Sequence, residues 1–278
     1  MKQSSVLDKV IGVISPLIIY FFVALFVQVG FTAIVMVTNF KGLGNDGVKY
    51  TDSANFMENM NSVINNNTLL ITLITIIICI PIFLYMFKKL RGNLAFTGKK
   101  KGLYINIIIG IFASLGVSKL VTLFPIDGIL GNYSETAKNV MSQNLPLQII
   151  ALVMLGPLME ELLFRGLIYN KLKIISETTI AAYISAIIFG VYHMNLVQGL
   201  YTFVLGVLLA YVYEKYNTII AAYLLHMAAN ATAVIINYLP ISKAINNHWY
   251  FKAPVMIMEI AVLVLVIYKM LYKKKASN

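Results

Sequence analysis

Glu160 and Glu161, Arg165, His193, His226 and Asn230 interrupt stretches of sequence that are otherwise fit only for lipid. An ionisable side chain at bilayer depth costs roughly 2.5–3.5 kcal/mol on insertion scales, so such residues mark a working site by default. Two carboxylates, two imidazoles, a guanidinium and a carboxamide can withdraw a proton, return it and steady a developing negative charge. That is the equipment of a hydrolase set within a membrane.

Spacing divides the labour. Adjacent Glu160 and Glu161 point roughly 100° apart on a helix, so they serve different purposes. Glu161 and Arg165 are four residues apart and pair on one face, as would a structural ion pair holding helices together. Glu160 lies outside that pair and is free to act as a base. Phe189 and His193 share a face, as do His226 and Asn230. A lone membrane histidine is more often a hydrogen-bonding partner for a neighbouring helix. Small residues such as Ala228 and Ala229 equally signal close helix packing. The three clusters together, in this order, outweigh those readings. Gly156-Pro157, just before the glutamates, bends its helix and frees backbone groups that protein or trapped water must satisfy.

The elements that position these groups are membrane helices. Of 278 residues, 59% are hydrophobic and 12% charged, against about 25% charged in soluble domains. The chain reads as an all-α polytopic membrane protein with a polar active-site cavity in its helix bundle. Eight spans of suitable length are expected: 10–38, 68–87, 103–124, 146–169, 178–193, 199–213, 219–239 and 253–271. The fifth and sixth are short, and one of them could be tilted or re-entrant. The first is far longer than the roughly 7–15-residue core of a signal peptide, so it is expected to be retained. A loop at 39–67 carries a short amphipathic piece near Phe56–Val63. The regions expected are an N-terminal membrane part (1–145), a catalytic core (146–240) and a last helix with a basic tail (241–278).

The net charge of +11 reflects topology rather than nucleic acid, because the lysines sit in short runs beside apolar segments. With eight spans and the N-terminus inside, fifteen Lys and Arg fall on the inner side and five on the outer. Lys119 and Arg165 lie within spans. Both termini are therefore expected in the cytoplasm, with the protein in the cell membrane and in contact with lipid. Trp249, Tyr238, Tyr250 and Tyr268 suit interfacial anchoring, and His248 beside Trp249 reads as a surface histidine. The single cysteine, Cys79, cannot form an intrachain disulfide. Neither it nor Ser176 or Ser185 stands beside an evident base.

EExxxR at Glu160–Arg165, FxxxH at Phe189–His193 and HxxxN at His226–Asn230 resemble the three motifs of the CAAX protease and bacteriocin-processing (CPBP or Abi) family. This family of intramembrane endopeptidases includes the Rce1-type prenyl-protein endoprotease. The resemblance spans roughly Pro146–Leu239. It implies that Glu160 and His193 activate water against a peptide carbonyl. His226 and Asn230 would then donate to the oxyanion, with Glu161 and Arg165 in support. It also implies a membrane protein or peptide as substrate, in peptide maturation, self-immunity to a bacteriocin or signal processing. The composition suits a bacterial source.

The same atoms offer another chemistry. Glu160, His193 and His226 form a His2Glu set, which holds catalytic zinc when water fills the fourth position. The sequence has no HExxH, and Asn230 suits an oxyanion donor better than a ligand, so a cofactor-free mechanism is preferred. Two non-catalytic readings remain: an ion-coupled carrier with broken helices, and a silent immunity or scaffold protein. Oligomeric state is not legible in the sequence.

Overall fold

The computed structural model describes residues 6–42, 53–92, 98, 101–122 and 138–238. All their regular elements are helices, and no strand occurs among the described residues. At bilayer depth, every backbone N–H and C=O must find a partner within the protein, and a helix achieves this locally. The elements are α1 (Val6–Gly42), α2 (Ser53–Asn66), α3 (Thr68–Arg91) and α4 (Ile105–Thr122). They continue as α5 (Leu145–Ile175), α6 (Thr178–Tyr192), α7 (Leu196–Tyr216) and α8 (Ile219–Tyr238).

Five of these, α1, α3, α5, α7 and α8, are long and apolar enough to cross a membrane; α4 and α6 contain shorter apolar stretches. The chain is thus a multi-pass membrane protein. The two short expected spans prove to be separate helices: α6 has 15 residues, and α7 has 21 because it starts at Leu196. The amphipathic piece near Phe56–Val63 is part of the 14-residue α2. The expected span 253–271, the basic tail, His248 and Trp249 lie outside the described residues, as does the middle of the loop at 39–67.

α5 is the axis of the bundle. All eight residues from Leu162 to Tyr169 are buried, Arg165 among them. α1 is peripheral instead: Phe22 and Phe26 are about 70% exposed, and among its described side chains only Val13, Pro16, Val27 and Val35 are buried. A helix apolar on every face and exposed on most of them has lipid as its neighbour.

Bare backbone sets the closest approaches. A Cβ at Gly110 of α4 would lie 2.2 Å from the Leu225 carbonyl oxygen of α8, and one at Gly190 would lie 2.7 Å from that of Gly199. The second contact draws α6 and α7 into a tight hairpin. Its turn includes Met194 in the left-handed region, at φ 53°. Because the Gly110 obstacle is backbone, Gly110→Val is expected to push α4 from α8 and cost about 1–3 kcal/mol. Thermal unfolding of the purified protein in detergent checks this; an unchanged transition would show that α4 can shift freely.

Basic residues gather at one end of the bundle. There Lys171 donates to the Gly12 carbonyl at 2.6 Å, and Arg91 to Asn217 Oδ1 at 2.6 Å. Lys173 meets Glu214 at 2.7 Å. The opposite end is closed by Gln148, which donates to the Tyr238 hydroxyl at 2.9 Å.

Candidate active site

Pro157 shapes the first wall of the site. The turns Ile149–Leu155 of α5 are π-helical, and the Gly156 N–H goes to the Ala151 carbonyl instead of to Leu152. Pro157 has no N–H to offer Leu152 in the wider register. The Leu152 carbonyl therefore loses both helical donors, and Asn230 Nδ2 of α8 reaches across to it at 2.8 Å. Gly156 is required here because a Cβ would stand 2.5 Å from the Ala151 oxygen. Asn230 thereby fastens α8 to the broken turn, keeping a second amide N–H beyond this bond.

One turn further on, the glutamates diverge as their adjacency predicts. Glu161 is fully buried and accepts from Arg165 Nη1 at 3.0 Å. Arg165 Nη2 donates to the Gly206 carbonyl of α7 at 2.9 Å, and the guanidinium lies 4.7 Å from the centre of the Phe189 ring. Arg165 thus joins α5, α6 and α7 through three different contacts. Glu160 keeps some exposure, 16% of its side chain, and lines a cavity of about 290 Å³.

His226 stands between the two carboxylates. Its Nδ1 lies 2.8 Å from Glu161 Oε1, and its Nε2 lies 3.5 Å from Glu160 Oε2. Carboxylates offer only lone pairs, so with Glu161 ionised the ring donates to it from Nδ1, while Nε2 faces Glu160 without a hydrogen bond to it. Glu160, Glu161, Arg165 and a doubly protonated His226 would together carry no net charge. That balance is what a low-dielectric interior favours.

His193 ends α6, and its Nδ1 faces the Phe189 carbonyl at 2.8 Å. A carbonyl can only accept, so the proton of the neutral ring belongs on Nδ1 and the lone pair on Nε2. The Phe189 ring packs edge-on against both imidazoles, 4.9 Å from His193 and 5.7 Å from His226. This accounts for phenylalanine at that position: its ring packs against both histidines without hydrogen-bonding either.

Glu160, His193, His226 and Asn230 line the cavity together, although they come from α5, the end of α6 and α8. Glu161 and Arg165 lie behind it. Sequence reasoning missed other members of the wall. Tyr20 of α1 and Thr72 and Ile76 of α3 line it, as do Tyr192 and Gln198. Tyr20 and Tyr192 meet edge to face at 4.9 Å. Nothing in spacing marks Tyr20, which lies 140 residues before Glu160 on an apolar helix. Pro157 was a usable signal for the stranded carbonyl.

Among the described residues, no three His, Cys, Asp or Glu side chains converge as a metal-ligand set. Glu160 and His226 are adjacent, but His193 does not complete a zinc triad with them.

An acid–base cluster at bilayer depth, backed by a buried ion pair and opening on a polar cavity, defines a multi-pass membrane hydrolase. Residues 142–232 match the family described as type II CAAX prenyl endopeptidase, Rce1-like. Over 178 residues the chain is 27% identical to the proposed membrane peptidase YdiL of Bacillus subtilis (strain 168), covering 61% of this chain and 72% of that protein. No solved structure matches it. The chain is a membrane peptidase, and its residues 142–232 are similar to the Rce1-type family.

Proposed function

We propose that the protein is an intramembrane endopeptidase that cuts a membrane-associated protein or peptide with water activated by Glu160 and His193. The observation that carries this reading is the division of protonation roles in one cavity. Glu160 and the Nε2 lone pair of His193 are acceptors, while His226 and the second N–H of Asn230 are donors. A water held by Glu160 and His193 gives up a proton as its oxygen bonds to the scissile carbonyl carbon. The carbonyl oxygen becomes an oxyanion and accepts hydrogen bonds from His226 Nε2–H and Asn230 Nδ2–H. Collapse breaks the C–N bond, and the proton taken from water passes to the leaving amine. The products are a new carboxyl terminus and a new amino terminus. Donors of this kind are worth about 2.7–4 kcal/mol each in other hydrolases.

The names of the matched family and of the Bacillus relative favour a substrate that is itself membrane-bound. The cavity supports this, since His226 and Asn230 lie about 10 and 17 Å along α8 from its start at Ile219. Peptide maturation and self-immunity are both roles that such a cleavage could serve. Both termini are placed in the cytoplasm on the distribution of Lys and Arg.

Comparing peptide termini in membranes bearing wild type or His193→Ala tests the proposal. At least one terminus is expected to vanish in the variant, with wild-type cleavage of the corresponding peptide unchanged by EDTA or 1,10-phenanthroline. Identical termini at matched expression would overturn the peptidase mechanism, and loss of cleavage on chelation would restore the zinc alternative.

A further inference from the structure

Gln198 lines the cavity from the first turn of α7, and its carboxamide has no hydrogen-bond partner among the described residues. Its backbone is held on both sides. The Gln198 N–H donates to Asn195 Oδ1 at 3.0 Å, and the Gln198 carbonyl accepts from Thr202 Oγ1 at 2.7 Å. Neighbouring polar side chains of the wall each have at least one partner within the protein. Asn230 holds the Leu152 carbonyl, His226 bonds Glu161 and faces Glu160, and His193 Nδ1 is bound to Phe189. Thr202 is turned back on its own helix. Gln198 is therefore fixed in place at the cavity wall, with its carboxamide unpartnered among the described residues.

A peptide to be cut at bilayer depth raises a problem that this arrangement solves. A scissile bond within a helix is screened by the surrounding turns, so the segment must be extended, and its backbone N–H and C=O lose their partners where water is scarce. Away from their ends and breaks, the enzyme's helices spend their backbone groups on themselves, so side chains are the main replacements. A carboxamide carries donors and an acceptor together, so one Gln side chain can pair with an N–H and a C=O of the same extended strand.

Building on the peptidase reading above, we infer that Gln198 is a substrate-positioning residue that hydrogen-bonds the extended backbone of the peptide beside the scissile bond. It does so whatever the substrate side chains are. Specificity at this point is thus for an unwound backbone, and the residues flanking the cut must be able to leave a helix.

The test uses full-length protein in detergent and a fluorescein-labelled apolar decapeptide, in its all-amide form and in forms with single backbone amides replaced by esters. Binding is read by anisotropy in a Glu160→Gln background, so that no turnover is needed. Gln198→Leu is expected to weaken binding of the amide peptide about tenfold, the order of one net hydrogen bond with a buried partner left unsatisfied. One ester position is expected to weaken binding to the Gln198 protein by a similar factor and to leave binding to Gln198→Leu unchanged. Gln198→Asn, with the same group on a shorter stem, checks that folding is not the cause, because its ester sensitivity is expected to shift or fade while its melting stays that of the parent. An unchanged affinity in Gln198→Leu, or the same ester profile in both proteins, would overturn the inference. If instead Gln198 binds as described but the protein with Glu160 intact cleaves nothing, the peptidase reading fails and the backbone contact stands.

Discussion

Glu160→Gln is expected to lower the rate of peptide cleavage by about 10²–10⁴-fold, the range a positioned general base contributes. Glutamine preserves the shape and the acceptor oxygen but cannot take a proton from water. Glu160 is partly exposed to the cavity and its nearest ionic partner is 3.5 Å away, so losing its charge costs the fold far less than losing that of the fully buried Glu161. The variant is therefore expected to express and melt as wild type does. Single-turnover cleavage of an internally quenched peptide by the purified variant, alongside its melting curve, is the deciding measurement. Cleavage within about threefold of wild type would remove Glu160 from the reaction.

Glu161 sets the contrast that makes the result interpretable. The two carboxylates differ by one position in sequence, yet Glu161 is fully buried against Arg165 and His226. Its replacement should harm folding together with activity, whereas replacement of Glu160 should harm activity alone. A hydrolase with one reacting glutamate and one positioning glutamate predicts that separation; an ion-coupled carrier gives no reason for it.

Arg165→Met carries the largest expected effect on stability, a loss of about 3–5 kcal/mol, because it leaves Glu161 charged, buried and without its guanidinium. The Gly206 carbonyl of α7 and the Phe189 ring lose their cation in the same step. Arg165→Met combined with Glu161→Gln removes both charges, so the double variant is expected to recover much of the loss. Size-exclusion profiles and melting in detergent report both. A double variant no more stable than Arg165→Met would show that the guanidinium acts chiefly through α7, independently of Glu161.

Local rules were enough to mark this chain as a helical membrane protein and to single out the six polar residues from Glu160 to Asn230. Lipid admits helices and forbids unpartnered charge, so apolar length marks the spans and each intramembrane ionisable group draws attention to itself. The Glu161–Arg165 pair was legible for the same reason, since i,i+4 spacing on a helix fixes proximity within one turn.

Which of these residues meets which was settled by packing. That His226 spans both glutamates depends on α8 lying against α5 across 65 residues of chain, a separation to which no helical period applies. That Asn230 supports the Leu152 carbonyl depends on a π-helical register around Pro157, which redirects one N–H and lacks another. Tyr20 and Gln198 were silent because an apolar helix and a helix start bear residues of these types for ordinary reasons. Only the placement of α1 and α7 around the cavity gives them a reacting group as neighbour. Local physics selects the charged groups one at a time; their pairing is a property of helices brought together from far apart in the chain.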